Sequence, residues 1–292
     1  MGVVAGRCLP EGGHVKTHFE LFLFCTEPGF IRRAVAAGVD GITVDWERLG
    51  KRERQATADT QINEDSLEDL RRVRNATSAR VICRINSYGE TTSTEVEEAI
   101  DAGADEILVP MVRSVAEVDA VLGFAGGRCG VGILIETVAA TRICSDLARL
   151  PLSRVYLGLN DLAIERGTSN IFTAVTDGLV ERAREAFRAP FGFAGLTLPD
   201  AGFPIPCRLL IGEMARLGCQ FSFLRRSFHR DIEGRDPGVE IRRLRAALDA
   251  AQRQPRDELA RNHAKLTAAI LAWPEEVPQT AQPLMPHGQP AR

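Results

Sequence analysis

The sequence predicts a (β/α)8 barrel of the TIM type, followed by one extra helix and a disordered tail. Apolar runs rich in Val, Ile and Leu recur eight times between residues 18 and 226. Most lack the polar alternation of a half-exposed strand, which is how strands buried on both faces of a parallel sheet read. Segments with helical spacing separate them, and strict alternation over about 230 residues favours a closed barrel over an open doubly wound sheet. A unit also repeats: AVAAGVDGITV (34–44), AIDAGADEILV (99–109) and MARLGCQFSFL (214–224) each join a helix end, a glycine, two further residues and the next strand. Glycine suits that place because the residue after a helix often turns left-handed. No G-x-G-x-x-G follows the first strand, which weakens a dinucleotide-binding alternative.

Residues 1–17, with four glycines, read as a flexible leader, and the barrel domain as 18–254. HFELFLFCT (18–26) is the first strand, PGFIRRAVAAG a helix with Pro28 in its first turn, and GITVDWE (41–47) the second strand. A charged loop containing GKRERQ follows, read as solvated surface with at most a lid role. SLEDLRRVRNAT is then a helix capped by Ser66. ARVICRIN (79–86) is strand three, EILVPMV strand four, and TSTEVEEAIDAG and SVAEVDAVLGFAG the helices after them. GVGILIE and RVYLGLND are strands five and six, joined by a helix over TVAATRICSDLARL. TAVTDGLVERAREAF is a helix, FGFAGLTL (191–198) strand seven, PIPCRLLIGEMARLG a helix, QFSFLRR strand eight and VEIRRLRAALDAAQRQ the last barrel helix. The segment 255–273 forms a ninth helix outside the barrel count, expected to pack across a neighbouring subunit of a homo-oligomer, trimer or hexamer. The proline-rich stretch 274–292 is expected to be disordered.

Composition narrows the function. The chain has 292 residues, 45% of them hydrophobic and 26% charged, with a formal net charge of −3, so no general attraction to nucleic acid or anionic membrane is expected. No apolar run reaches the roughly 18 residues of a membrane span, and the N-terminus lacks a secretory pattern. Seven scattered cysteines without a C-x-x-C pair point to free thiols in a reducing cytoplasm.

The strand ends collect the chemistry. In a parallel α/β barrel ligands bind at the carboxyl ends of the strands. Asp45 and Glu47 end strand two, Arg84 and Asn86 strand three, Glu136 strand five, Asn160 and Asp161 strand six, and Arg225, Arg226, Ser227 and His229 follow strand eight. A carboxylate closing a buried strand has no packing reason to be there. It can cap the following helix, but Glu136 and Asp161 on neighbouring strands together make a candidate site for Mg2+ or Mn2+. An arginine nearby supplies a planar fork for a carboxylate, although Arg84 could also pair with a barrel carboxylate. Arg225 and Arg226 alternate, so only one can point inward. His14, His18 and His263 carry no motif.

With AAGVDGITVDWE, ICRIN, AGADEILVPMV, GILIET and GLNDLA in this order and spacing, the sequence resembles the HpcH/HpaI aldolase and citrate lyase β-subunit family over about residues 19–230. The resemblance implies Glu136 and Asp161 as metal ligands, Arg84 as the residue holding a substrate carboxylate or enolate oxygen, and 2-oxo acids such as pyruvate, or acyl-CoA thioesters, as substrates. The chain departs from the family at three points. It reads DWER where the aldolase branch has D-x-E-H with a catalytic histidine, placing Arg48 there. Leu134 stands where that branch has glutamine, and the D-L-E-D of the citrate lyase branch is matched at Glu47 and not at Arg48.

The expected function is a divalent-metal-dependent carbon–carbon lyase acting on a 2-oxo acid through a stabilised enolate. Arg84, Glu47 and Asp45 are its catalytic residues, with Glu47, Asp45 or a metal-bound water moving the proton. Arg84, Asn160, Pro110 and Arg48 are expected to bind substrate. The alternatives are a citrate-lyase-like or malyl-CoA-like lyase or thioesterase, which would need a basic CoA-binding surface, and a barrel that has lost turnover and serves as a binding or scaffold subunit.

Overall fold

The computed structural model describes residues 18–48 and 65–273. The leader, the loop containing GKRERQ, His14 and the tail lie outside the described residues. Eight strands are present: β1 (Glu20–Phe24), β2 (Gly41–Asp45), β3 (Arg80–Arg84), β4 (Glu106–Val109), β5 (Gly130–Ile135), β6 (Arg154–Leu157), β7 (Phe191–Phe193) and β8 (Phe221–Leu224). All are parallel, in the spatial order β7-β6-β5-β4-β3-β2-β1-β8. The seam between β7 and β8 is closed by Gln220 N donating to Phe191 O and Leu196 N to Phe223 O, both at 3.0 Å, and by a bridge between Leu196 and Leu224. The result is a nearly closed α/β barrel.

The early helices follow their sequence signals. α1 (Pro28–Ala36) starts behind Glu27, whose carboxylate accepts from the backbone N–H groups of Gly29 and Phe30. α2 (Leu67–Ala76) carries a reciprocal cap in which Ser66 and Asp69 satisfy each other's backbone donors, and Ser114 with Glu117 does the same for α4 (Val115–Ala125) after α3 (Thr92–Asp101). The three glycines of the repeat, Gly38, Gly103 and Gly218, have φ of 112°, 91° and 62°, the left-handed turn that the repeat requires.

Later connections are more broken than the sequence suggests. The helix after β5 is two pieces, α5 (Val138–Arg142) and α6 (Cys144–Leu147), parted at Ile143. β6 stops at Leu157 and α7 (Leu159–Arg166) starts two residues on, so Asn160 and Asp161 sit in the first turn of a helix rather than on the strand. Gly178, at φ 74°, separates α8 (Thr173–Thr176) from α9 (Leu179–Ala186). β7 is cut short by Ala194 at φ 49°. After α10 (Cys207–Arg216) and β8, the chain turns at once into α11 (Arg226–Asp231), then α12 (Pro237–Ala251).

The ninth helix, α13 (Arg256–Ala272), packs against α10 of its own barrel. Asn262 Nδ2 donates to Leu209 O at 3.0 Å, His263 Nδ1 meets the buried Glu213 carboxylate, and Asn170 Nδ2 donates to Ile270 O at 3.1 Å. Gly212 makes this approach possible, because a Cβ there would stand 2.5 Å from Asn262 Cγ.

Inside the barrel, side chains fill layers. At the amino end Arg154 is buried, its Nε 2.5 Å from Glu106 Oε1, its Nη1 3.3 Å from Glu20 Oε2, and its Cζ 4.2 Å from the Phe22 ring centre. Above it Phe22, Phe24, Ile82, Leu108, Leu134, Tyr156, Phe221 and Phe223 form an apolar plug. The upper layer is charged. No helix among the described residues is long and apolar enough to cross a membrane, and the cysteines among them are free thiols.

Candidate active site

Sheet register assembles the site. In the β2–β3 ladder Asp45 is the partner of Arg84, so both side chains leave the same face at the carboxyl end. Arg84 Nε donates to Asp45 Oδ1 at 2.8 Å and Nη2 to Oδ2 at 2.6 Å, while Nη1 lies 3.1 Å from Glu47 Oε2. All three side chains are buried. The neighbouring negative charges hold the Arg84 guanidinium firmly ionised against the opposing effect of burial. Nε and Nη2 are used in the two hydrogen bonds to Asp45, and Nη1 meets Glu47 as an ion pair.

A second tier fixes Asp45. Asp65 Oδ2 accepts from Asp45 N at 2.9 Å, and burial with the Asp45 charge pushes the Asp65 carboxyl up to about 6. Asn86 N and Nδ2 donate to the two oxygens of Glu95, and Asn86 Oδ1 accepts from Arg48 N at 2.8 Å, which staples the ends of β2 and β3 together. Asn86 is therefore a scaffold residue. The guanidinium of Arg48, expected to bind substrate, donates through Nη2 to the Asp65 carbonyl, and the residue is exposed.

Glu136 follows β5 and is 3% exposed. Burial, then Asp161, then Glu47 push its carboxyl up to about 8, with Arg84 and the Met111 N–H opposing. Met111 N donates to Glu136 Oε2 at 3.3 Å from a left-handed backbone at φ 52°, held just after the buried Pro110. A non-glycine residue there is strained, and such strain collects at functional sites. Pro110 thus directly precedes the residue that aims a donor at Glu136. Gly158 leaves the space for the carboxylate, since a Cβ there would stand 2.5 Å from Glu136 Cγ. Asp161, 7% exposed, acts on Glu136 from the first turn of α7, beside the half-buried Asn160.

Three residues sharpen or extend the sequence reading. Arg225 is the inward member of the Arg225–Arg226 pair. Its Cζ lies 4.6 Å from the Phe24 ring centre, and Arg84 Cζ lies 5.3 Å from the same ring. Tyr156 was missed, and its only signal is a phenol inside an apolar strand. It packs 4.7 Å from the Phe223 ring, and burial pushes its ionisation up while Arg225, Glu136 and Arg84 act on it from above. Leu134 joins the same apolar plug, so the position where the aldolase branch carries glutamine contributes floor and no polar atom. His229 is tied to Phe24 O at 2.7 Å, His18 to Asp40 at 2.5 Å, and His263 to Glu213.

The sequence model of the HpcH/HpaI aldolase/citrate lyase family matches residues 18–187, more than half of the chain. The chain belongs to this family. No curated protein matches it significantly. The HpcH/HpaI family is one of lyases, generally dependent on a divalent metal, and the residues here fit such an ion. Two carboxylates share one buried place with more negative charge than Arg84 offsets, and Gly158 makes the room that one of them occupies. Among the described residues no three His, Cys, Asp or Glu side chains converge as a metal shell. A cation at Glu136 and Asp161 would complete its shell from water and substrate oxygens, which suits Mg2+ or Mn2+.

Proposed function

We propose that the protein is a divalent-metal-dependent carbon–carbon lyase that cleaves a 4-hydroxy-2-oxo acid, or runs the reverse addition. The observation that carries this reading is the juxtaposition of the Glu136–Asp161 carboxylate pair with a buried Arg84 whose hydrogen bonds to Asp45 use only Nε and Nη2. A bound Mg2+ or Mn2+ would supply Lewis-acid polarisation of the 2-oxo group. Arg84 then offers its remaining donors to the oxygen that gains charge, already oriented by Asp45, so that no reorganisation is needed as the bond breaks.

Asp45 is committed to the guanidinium by both oxygens and serves to position it. Glu47 touches Arg84 through one oxygen and also acts on Glu136, so it stands between the fork and the carboxylate pair. Glu47 takes the proton of the 4-hydroxyl as the carbon–carbon bond breaks. The bonding electrons pass to the enolate oxygen, an aldehyde leaves, and the enolate carbon takes up a proton to give the 2-oxo acid.

The test is exchange of the methyl protons of pyruvate with deuterium in the presence of Mg2+ or Mn2+, followed by cleavage of a panel of 4-hydroxy-2-oxo acids. Metal-dependent exchange supports the lyase. Absence of exchange and cleavage, with oxo acids and acyl-CoA thioesters alike, favours the scaffold reading. A groove of about 450 Å3 between α1 and α2, lined by Arg32, Arg71 and Arg72 together with Glu68, is a basic surface that favours the CoA-thioester reading. Its charge is already partly spent, because Arg72 pairs with Asp69 and Arg71 lies 3.5 Å from Glu68.

A further inference from the structure

We infer that Tyr156 is a substrate-binding residue, its phenol O–H donating to the carboxylate of the 2-oxo acid from the floor of the barrel. The inference rests on the lyase reading above and supplies a protein partner for the one polar group of the substrate that the reading leaves without one.

Tyr156 lies on β6, and its ladder partner on β5 is Leu134, two residues before Glu136. Side chains two residues apart leave the same face of a strand, so Tyr156 stands one pleat below the Glu136 carboxylate. Its ring belongs to the apolar plug, 4.7 Å from the Phe223 ring and 5.9 Å from that of Phe221. Leu134 offers that floor no polar atom, and its partner on the next strand brings a hydroxyl. Burial pushes the ionisation of this phenol up against the pull of Arg225 and Arg84, so it stays a neutral donor.

A buried phenol O–H ordinarily finds a hydrogen-bond partner. Other buried hydroxyls of the barrel have one in the protein: Thr137 Oγ1 donates to Val112 O at 2.6 Å, Ser222 Oγ to Ala194 O at 2.7 Å, and Thr197 Oγ1 to Asp231 Oδ2 at 2.7 Å. Among the described residues the Tyr156 hydroxyl has none, and its contacts are made by the ring. Thr43 also lacks a partner, but it is fully enclosed, whereas Tyr156 keeps 5% exposure. Of the polar groups of a 4-hydroxy-2-oxo acid, Arg84 takes the oxygen that gains charge and Glu47 meets the 4-hydroxyl, which leaves the carboxylate. The aldehyde half must depart through the open end of the barrel, so the carboxylate end is the deeper one, against the plug. A donor there meets a charged acceptor, the stronger kind of hydrogen bond, and acts already in the ground state.

The chain has two tyrosines, Tyr156 and the 42% exposed Tyr88, so protein labelled with 3-fluorotyrosine gives two fluorine resonances, which Tyr156→Phe assigns. Adding pyruvate to the Mg2+-loaded protein should shift the Tyr156 resonance and leave that of Tyr88 in place. Tyr156→Phe keeps the ring and removes the hydroxyl. It should raise KM for cleavage, and weaken oxalate binding in calorimetry, by about 10-fold or more, the scale of one hydrogen bond to a charged group, with kcat little changed. Deuterium exchange into pyruvate by the wild-type protein is measured alongside. Exchange in the wild type with unchanged KM and oxalate affinity in Tyr156→Phe, its fold verified by circular dichroism, overturns the role of Tyr156 and leaves the lyase standing. A fall in kcat alone, or a Tyr156 resonance that pyruvate does not move, overturns it likewise. If the wild-type protein shows neither exchange nor cleavage, the lyase reading falls, and the inference with it.

Discussion

Asp45 holds Arg84 through two parallel hydrogen bonds, 2.8 Å from Nε and 2.6 Å from Nη2, between side chains that are both buried. The pair is made by register, because the two residues are ladder partners at the ends of β2 and β3. Removing one member of a buried ion pair leaves the other uncompensated, at a cost of about 3–5 kcal/mol. Asp45→Asn keeps the shape and loses the charge, and Glu47 remains beside Arg84 to soften the loss. It should therefore destabilise the protein by a few kcal/mol in urea denaturation and lower kcat, since Arg84 is no longer aimed. Unchanged stability would mean that the two groups are separated by water in solution.

The Asp161 charge presses on the buried Glu136 carboxyl, so Glu136 is a liability unless a cation is bound. Glu136→Gln should abolish Mn2+ binding in calorimetry while leaving the metal-free fold as stable as wild type or more so. Asp161→Asn should do the same. Retained affinity in both variants would remove these two residues from the metal site.

The pH dependence follows from the same repulsion. The folded protein holds the Glu136 proton up to about 8, well above the ordinary carboxylate value of 4.5. The folded state then binds more protons than the unfolded state across that window. The stabilising contribution is complete below 4.5 and is lost as the pH rises through about 8. Metal-free protein should lose stability along that window, and saturating Mn2+ should reverse the loss. Near pH 7 metal binding should release about one proton, because the ligand must be ionised. Calorimetry in two buffers of different ionisation enthalpy measures it, and zero release would place the proton elsewhere.

Gly158 supplies a subtler test. Its backbone, at φ −85° and ψ 107°, is open to any residue, so alanine brings no backbone strain. The added methyl would meet the Glu136 carboxylate instead. Gly158→Ala should weaken Mn2+ binding by roughly 10-fold or more, on the scale of about 1.4 kcal/mol for displacing one ligand, with little change in melting temperature. Normal affinity would show that Glu136 has room to move aside.

The eight strands, the glycine turns and the strand-end carboxylates were legible because each follows from a local rule: apolar runs, left-handed stops, charge where packing gives no reason for it. What was not legible depends on the closed barrel. Whether Asp161 lies on a strand or a helix turns on where β6 must stop to meet β5 and β7. Arg225 was one of two candidates until the pleat chose the inner one. Tyr156 reads as another apolar residue until Glu136, Arg84 and Arg225 are seen above it. The partner of α13 was equally hidden, since a helix pattern names a buried side and not what covers it.

Arg84 decides between chemistry and architecture. Its contacts with Asp45 and Glu47 resemble those of Arg154 with Glu106 and Glu20, and Arg154 has no catalytic surroundings. The difference is location: Arg84 sits at the carboxyl end, where Glu136 feels its charge, with N–H donors left over beyond those that hold Asp45. If those donors take a substrate carboxylate alone, they act in the ground state and their loss raises KM. If they take an oxygen that gains charge as the bond breaks, their loss lowers kcat as well. Arg84→Lys keeps the charge and gives up the fork, so it separates the two contributions. A fall of roughly 100-fold or more in kcat/KM is expected, the scale of losing one preorganised oxyanion donor, with most of it in kcat. Wild-type turnover at saturating substrate in both Arg84→Lys and Arg84→Ala would make Arg84 a second Arg154, a barrel arginine that holds the fold together and leaves the bond-breaking step to other groups.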